Sequence, residues 1–236
     1  RRLTQRNVTA RLLIETMAIN FISGYETGDT REWSGVGAGT PSFETTIVRS
    51  GARSLKCAMA ASTAAHFLFF DYNDAKKSGN AGATVANSYG KFMFRWSHNG
   101  ASAYAPNEYK IMVLEQTDLG NIMSIRFYQD SATTGHLELW YELDGQTAVQ
   151  VGADVSVAED TWVRVEWKCV ISATAGILEM KVDGGSTQTG TSLNTGTENV
   201  NSVNVGGVTN VNSQPIDFYF DDVVVRDDQY HGDSKV

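Results

Sequence analysis

From Phe43 onward apolar and polar residues alternate with a period of two, the spacing of a strand with one buried face. Phe43, Thr45 and Ile47 alternate with Glu44, Thr46 and Val48, Ser50-Gly51 reads as a turn, and Arg53 to Met59 reads as the next strand. Further segments rich in aromatic and β-branched residues follow: AHFLFFDY, YGKFMFRWS, EYKIMVLEQ, NIMSIRFYQ, HLELWYE, TWVRVEWKCVI, GILEMKVDG, NSVNVGG and IDFYFDDVVVR. Turn formers divide them, among them Asp118-Leu119-Gly120-Asn121, Asp144-Gly145 and Asp183-Gly184-Gly185. About a dozen strands are too many for one open sheet and suit two packed sheets. The prediction is an all-β, two-sheet antiparallel sandwich. Pro41, Pro106 and Pro215 all fall at predicted strand margins, where a missing N–H breaks no ladder.

Alternation also assigns faces. Phe92, Phe94 and Trp96 share one, as do Val163, Val165 and Trp167, and Leu178, Met180 and Val182. Such rows are expected to be core. Adjacent Trp140 and Tyr141 must point to opposite faces, so one is expected inside and the other exposed.

Charge divides the chain. The net charge is −8, yet the first eleven residues hold Arg1, Arg2, Arg6 and Arg11 and no acid, so the rest carries −12 once the +4 of this arm is removed. An acidic body repels a phosphate backbone, which argues against nucleic acid as the main partner. No run of about twenty apolar residues exists, so no helical membrane span is expected. Cys57 and Cys169 each lie within a predicted strand and are expected to be buried free thiols. The expected organisation is an arm over residues 1–18, a sandwich over 19–228 and a tail over 229–236.

Two acidic signatures near the ends carry a resemblance. Gly24-Tyr25-Glu26-Thr27-Gly28, running on to Trp33, is similar to the first strand and loop of concanavalin A-like, laminin G-like jelly rolls. Phe218-Tyr219-Phe220-Asp221-Asp222-Val223-Val224-Val225 is similar to their last strand. Asp160-Thr161-Trp162-Val163-Arg164-Val165-Glu166 and Leu178 to Gly184 resemble two inner segments. The resemblance implies a jelly roll whose first and last strands lie side by side, bringing Glu26 towards Asp221 or Asp222. It also implies a structural ion there. Ca²⁺ suits carboxylates flanked by glycine turns, with Glu26 and Asp221 as side-chain ligands and Asp222 as a third. Alternation sends Asp221 and Asp222 to opposite faces unless a bulge intervenes.

Catalytic motifs are sparse. The chain holds no HExxH, no GxSxG elbow and no phosphate-binding GxxxxGK[ST], and its four histidines are scattered. Glu138 and Glu142, four apart on one predicted strand, would stand about 13 Å apart, beyond the spacing of a glycosidase pair. A lyase would need a Tyr or His base beside a cation, which Tyr104, Tyr109, His98 and Lys110 could supply only if the fold gathered them. A sugar-binding face needs exposed aromatics, for which Trp96, Tyr104, Tyr109, Tyr128, Trp140 and Tyr141 are the candidates. The segment Arg226 to Val236 resembles the tail that follows such jelly rolls in bacteriophage virion proteins. That implies a noncatalytic virion component of a tailed phage, a capsid decoration or tail-associated adhesion protein on the virion surface. Its partners would be further copies, other virion proteins or a cell-surface glycan, with the Arg-rich arm clasping neighbours. The alternatives are a carbohydrate-binding module or lectin, and then a glycan lyase or hydrolase.

Overall fold

The computed structural model describes residues 19–59, 65–74, 84–99, 107–116, 120–143, 145–210 and 215–227. The expected Arg1, Arg2, Arg6 and Arg11 arm, Tyr104 and the tail lie outside them. Fifteen strands and no helix occur among the described residues: β1 Ile19–Ser23, β2 Gly35–Ala38, β3 Ser42–Glu44, β4 Ser54–Met59, β5 His66–Asp71, β6 Asn87–His98, β7 Asn107–Gln116, β8 Gly120–Gln129, β9 Thr134–Tyr141, β10 Val149–Ala158, β11 Val163–Val170, β12 Gly176–Val182, β13 Gln188–Leu193, β14 Val200–Asn210 and β15 Ile216–Arg226. No described helix is long and apolar enough to cross a membrane.

They form two antiparallel sheets of a jelly-roll sandwich. One runs β13-β12-β11-β6-β15-β4-β3 with β1 also paired to β15, and the other runs β10-β9-β8-β7-β14-β5-β2. The first and last strands do lie side by side, Phe21 opposite Val225 and Ser23 opposite Val223.

The rows assigned by alternation are buried between the sheets: Phe92, Phe94, Trp96, Val165, Trp167, Leu178 and Met180 are all fully enclosed. Phe94, Phe127 and Phe218 form its centre, with ring centroids 5.6 to 5.8 Å apart, and Tyr109 meets Phe218 edge-on at 5.1 Å. Each such ring removes enough apolar surface from water to stabilise the fold by about 1.5–3 kcal/mol. Cys57 and Cys169 are buried and free.

One local expectation is corrected. The strand expected from Phe43 to Val48 ends at Glu44, because the Glu44 carboxylate turns back to accept from the Thr45 and Thr46 amides and the Thr46 hydroxyl, each at 2.8 Å. A side chain that satisfies local amides competes with the ladder. The β2 and β13 segments, short and rich in Gly, Ser and Thr, lack the aromatic and β-branched runs that mark the others.

Candidate active site on the seven-stranded sheet

The acids expected to hold Ca²⁺ fasten a loop. Glu26 accepts from the Ala52 amide at 2.9 Å, Asp221 accepts from the Arg49 and Ser50 amides at 2.9 and 3.1 Å, and Asp222 accepts from the Ser50 hydroxyl at 2.6 Å. Glu26 and the Asp pair therefore grip the 49–52 turn at separate points, and no metal-sized cluster forms from them among the described residues. A bulge does occur after Asp221, with Asp222 at φ 49°. Asp221 is fully buried, and burial pushes its carboxyl up from 3.8 to about 6 against the lowering effect of its amide donors.

The aromatic candidates separate by face. Trp96 and Tyr109 are fully enclosed in the core and cannot stack on a sugar, because their strand positions point between the sheets. Tyr141 packs against the core and donates its hydroxyl to the Asn194 carbonyl. Trp140 and Tyr128 stand on the outward face of the seven-stranded sheet, both half-buried.

That face is a grid set by register. Across β7, β8 and β9, Glu108 lies opposite Tyr128 and Tyr128 opposite His136; one row on, Lys110 lies opposite Arg126 and Arg126 opposite Glu138; the next places Ser124 opposite Trp140. From Ser124 in β8 and throughout β9, every second residue is therefore polar or amphipathic and faces out, while Phe127, Ile125, Leu137 and Leu139 face the core.

Arg126 is the hub. Its guanidinium pairs with Glu108 and Glu142 and lies 3.9 Å from the centre of the Trp140 ring. Glu142 also accepts from Lys110 at 2.6 Å and from the Ser124 hydroxyl at 2.8 Å. Burial alone would push the Glu142 carboxyl up; Lys110 and Arg126 outweigh it and hold it below the usual range. Tyr128 stands opposite Glu108 across the strand pair and next to Arg126, and burial together with Glu108 pushes its phenol well up. Its ring stacks on His136, with centroids 5.1 Å apart and planes 3° from parallel. His136 is bonded at Nδ1 to Asp130 at 2.8 Å and at Nε2 to Glu138 at 3.3 Å. Burial lowers its pKa, but the surrounding carboxylates leave it above the ordinary histidine value.

The other end of the face holds a depression of about 280 Å³ lined by Phe67, Phe69, Asp71, Glu115, Ser202 and Asn204. Phe67 and Phe69 lie flat over β2 because Gly37 and Gly35 offer no Cβ; one at Gly37 would stand 1.9 Å from the Phe67 ring. Four strand spacings separate β9 from β5, about 19 Å at the usual inter-strand distance. The surface is long enough for several sugar units.

No known protein family matches this chain in sequence, and no curated protein does so. Solved structures do match in shape. Alginate lyase vAL-1 from Chlorella virus superposes with a TM-score of 0.54 at 9% identity, over 86% of this chain and 96% of that one. The alginate lyase from Klebsiella pneumoniae gives 0.52 at 8% identity over 78% and 84%, and that from Pseudomonas aeruginosa gives 0.51 at 10% over 78% and 85%. At this identity the likeness establishes the shared jelly roll.

It also corrects the expectation of a noncatalytic virion protein. The solved structures that share this shape, over 84 to 96% of their own length, are alginate lyases. Of the lyase set considered from sequence, Lys110 reaches the outward face, Tyr109 is core, and His98 turns to Gln129 at 3.2 Å. Glu108, Arg126, His136 and Asp154 were not singled out. The signal that finds Arg126 and His136 is polar residues at alternate positions on consecutive strands: Ser124, Arg126, Tyr128, then His136, Glu138, Trp140.

Proposed function

We propose that the outward face of the seven-stranded sheet binds a polysaccharide and cleaves it by β-elimination, making the protein a polysaccharide lyase for a uronate-containing chain. The observation that carries this reading is the Tyr128 hydroxyl, set between the Glu108 carboxylate and the Arg126 guanidinium on an open, aromatic-walled surface. The likeness to lyases that act on alginate supports the substrate class.

Elimination requires two proton transfers. The C5 proton, made acidic by the adjoining carboxylate, leaves to a base as the C4–C5 double bond forms, and the C4–O4 bond breaks as O4 takes a proton. Tyr128 delivers a proton to O4, Glu108 accepts the one from C5, and the proton then passes from Glu108 to Tyr128, its cross-strand neighbour. Arg126 steadies the transient phenolate, because a cation one hydrogen bond from a developing oxyanion lowers its energy without reorganising. Trp140 and the Phe67 and Phe69 rings offer apolar faces for pyranose stacking at either end.

The test is to incubate the full chain with alginate and with other polyuronates and follow the ultraviolet absorbance of unsaturated ends. Mass spectra of the products discriminate further, since elimination adds no water to the sum of the fragments and hydrolysis adds one. Glycan binding without new ends, or saturated products, would overturn the reading.

A further inference from the structure

We propose that His136, Glu138 and Asp154 form a binding site for a divalent transition-metal ion of the zinc class. Among the described residues these three are the group whose ligand atoms converge, all lying within 4.8 Å of one another. His136 Nε2 is 3.3 Å from Glu138 Oε1 and 3.8 Å from Asp154 Oδ2. Ligands about 2.0–2.1 Å from a tetrahedral zinc stand about 3.4 Å from each other, and both His136 separations are within a few tenths of an ångström of that spacing.

The far side of each ligand is held by a residue outside the triad. Asp130 takes His136 Nδ1 at 2.8 Å, which fixes the ring and leaves Nε2 to face the cluster. Trp140 Nε1 donates to Glu138 Oε2 at 2.6 Å, leaving Oε1 directed inward. Gln150 Nε2 donates to Asp154 Oδ1 at 2.6 Å, leaving Oδ2 likewise. A carboxylate behind a ligating histidine and donors behind ligating carboxylates are how proteins orient metal ligands.

The backbone contributes as well. Between Val151 and Val155, β10 bulges against β9, so that Gly152, Ala153 and Asp154 together face Glu138. Gly152 adopts φ 79°, and the Ala153 amide is pinned by Gln188 Oε1 at 2.7 Å. Asp154 thereby stands on the outward face beside Glu138, between Val151 and Val155, which pack against the core. One imidazole and two carboxylates favour a borderline ion over Ca²⁺ or Mg²⁺, which take oxygen shells of six or more. Three protein ligands leave a fourth position open.

The site does not rest on the elimination chemistry, and its test needs no glycan. The full chain, stripped with EDTA and dialysed, is titrated calorimetrically with zinc chloride and separately with calcium chloride, and its melting temperature is read with and without zinc. One zinc per chain, a raised melting temperature and no calcium isotherm are expected. Asp154→Asn, at an exposed position, weakens zinc about tenfold or more, as does Trp140→Phe through the Glu138 contact. His136→Ala abolishes binding, with circular dichroism confirming the fold. An imidazolium caged by three carboxylates would instead leave zinc and chelated samples melting alike. That result, or zinc binding that survives both His136→Ala and Asp154→Asn, overturns the site.

Discussion

Tyr128 and Glu108 are cross-strand neighbours, and their replacements separate chemistry from stability. Tyr128→Phe removes the proton carrier but keeps the ring that stacks on His136. Turnover is expected to fall by about 10²-fold or more, while the melting temperature stays near that of the parent because the substitution leaves no core cavity. Glu108→Gln should cut the rate comparably, and an unchanged rate in either would remove both from the mechanism. Asp221 gives a residue-level prediction of another kind. Its carboxyl is raised from 3.8 to about 6, so between those values the folded chain holds a proton that the unfolded chain has lost. Stability therefore falls as pH rises from about 4 to about 6, by up to about 3 kcal/mol for two units. Denaturant unfolding across that window should show the decline, and Asp221→Asn should flatten it; an equal slope in both would place the titration elsewhere.

At the scale of elements, the β8–β9 hairpin shows what a sequence discloses and what it withholds. Alternation placed Phe92, Phe94 and Trp96 in the core, and it required Trp140 and Tyr141 to part, as they do. The same rule, applied to Arg126, Tyr128, His136 and Glu138, gives their common face, but only register shows that Tyr128 stands between Glu108 and His136. Register is a relation between strands and leaves little trace within one. Tyr109 and Trp96 were candidates for sugar stacking because an aromatic ring reads alike on either face until its sheet is assigned. Asp154 keeps the outward parity between Val151 and Val155, but its place beside Glu138 depends on a bulge in the β9–β10 register, which neither strand shows alone. Packing between elements is as exacting: a Cβ at Gly90 of β6 would lie 2.1 Å from the Trp167 ring and 2.5 Å from the Val224 carbonyl. Gly90→Ala must displace a backbone or a buried indole and is expected to destabilise by about 1–3 kcal/mol in denaturant unfolding; a neutral result would mean β6 and β15 can separate freely there.

At the scale of the whole molecule, the two thiols report whether the sandwich opens as one body. Cys57 lies on β4 and Cys169 on β11 of the same sheet, with β15 and β6 between them. Three strand spacings, about 14 Å, exceed the reach of a disulfide. Burial pushes both thiols up to about 12, so neither forms appreciable thiolate in the folded state at neutral pH. A thiol reagent should find none in the native protein and both after denaturation, and a reductant should leave the melting temperature unchanged. The rates carry more information. One buried cluster takes residues from both sheets, Leu55 and Phe218 from one and Leu68 and Phe127 from the other, so exposing Cys57 means breaching the core that also covers Cys169. Under weakly denaturing conditions both thiols should therefore label with a single rate constant, equal to that of global unfolding. Separate rates, with Cys57 near the β3 edge reacting first, would mean that β3 and β4 fray from β15 before the sandwich opens, and that the cooperative unit is smaller than the two sheets.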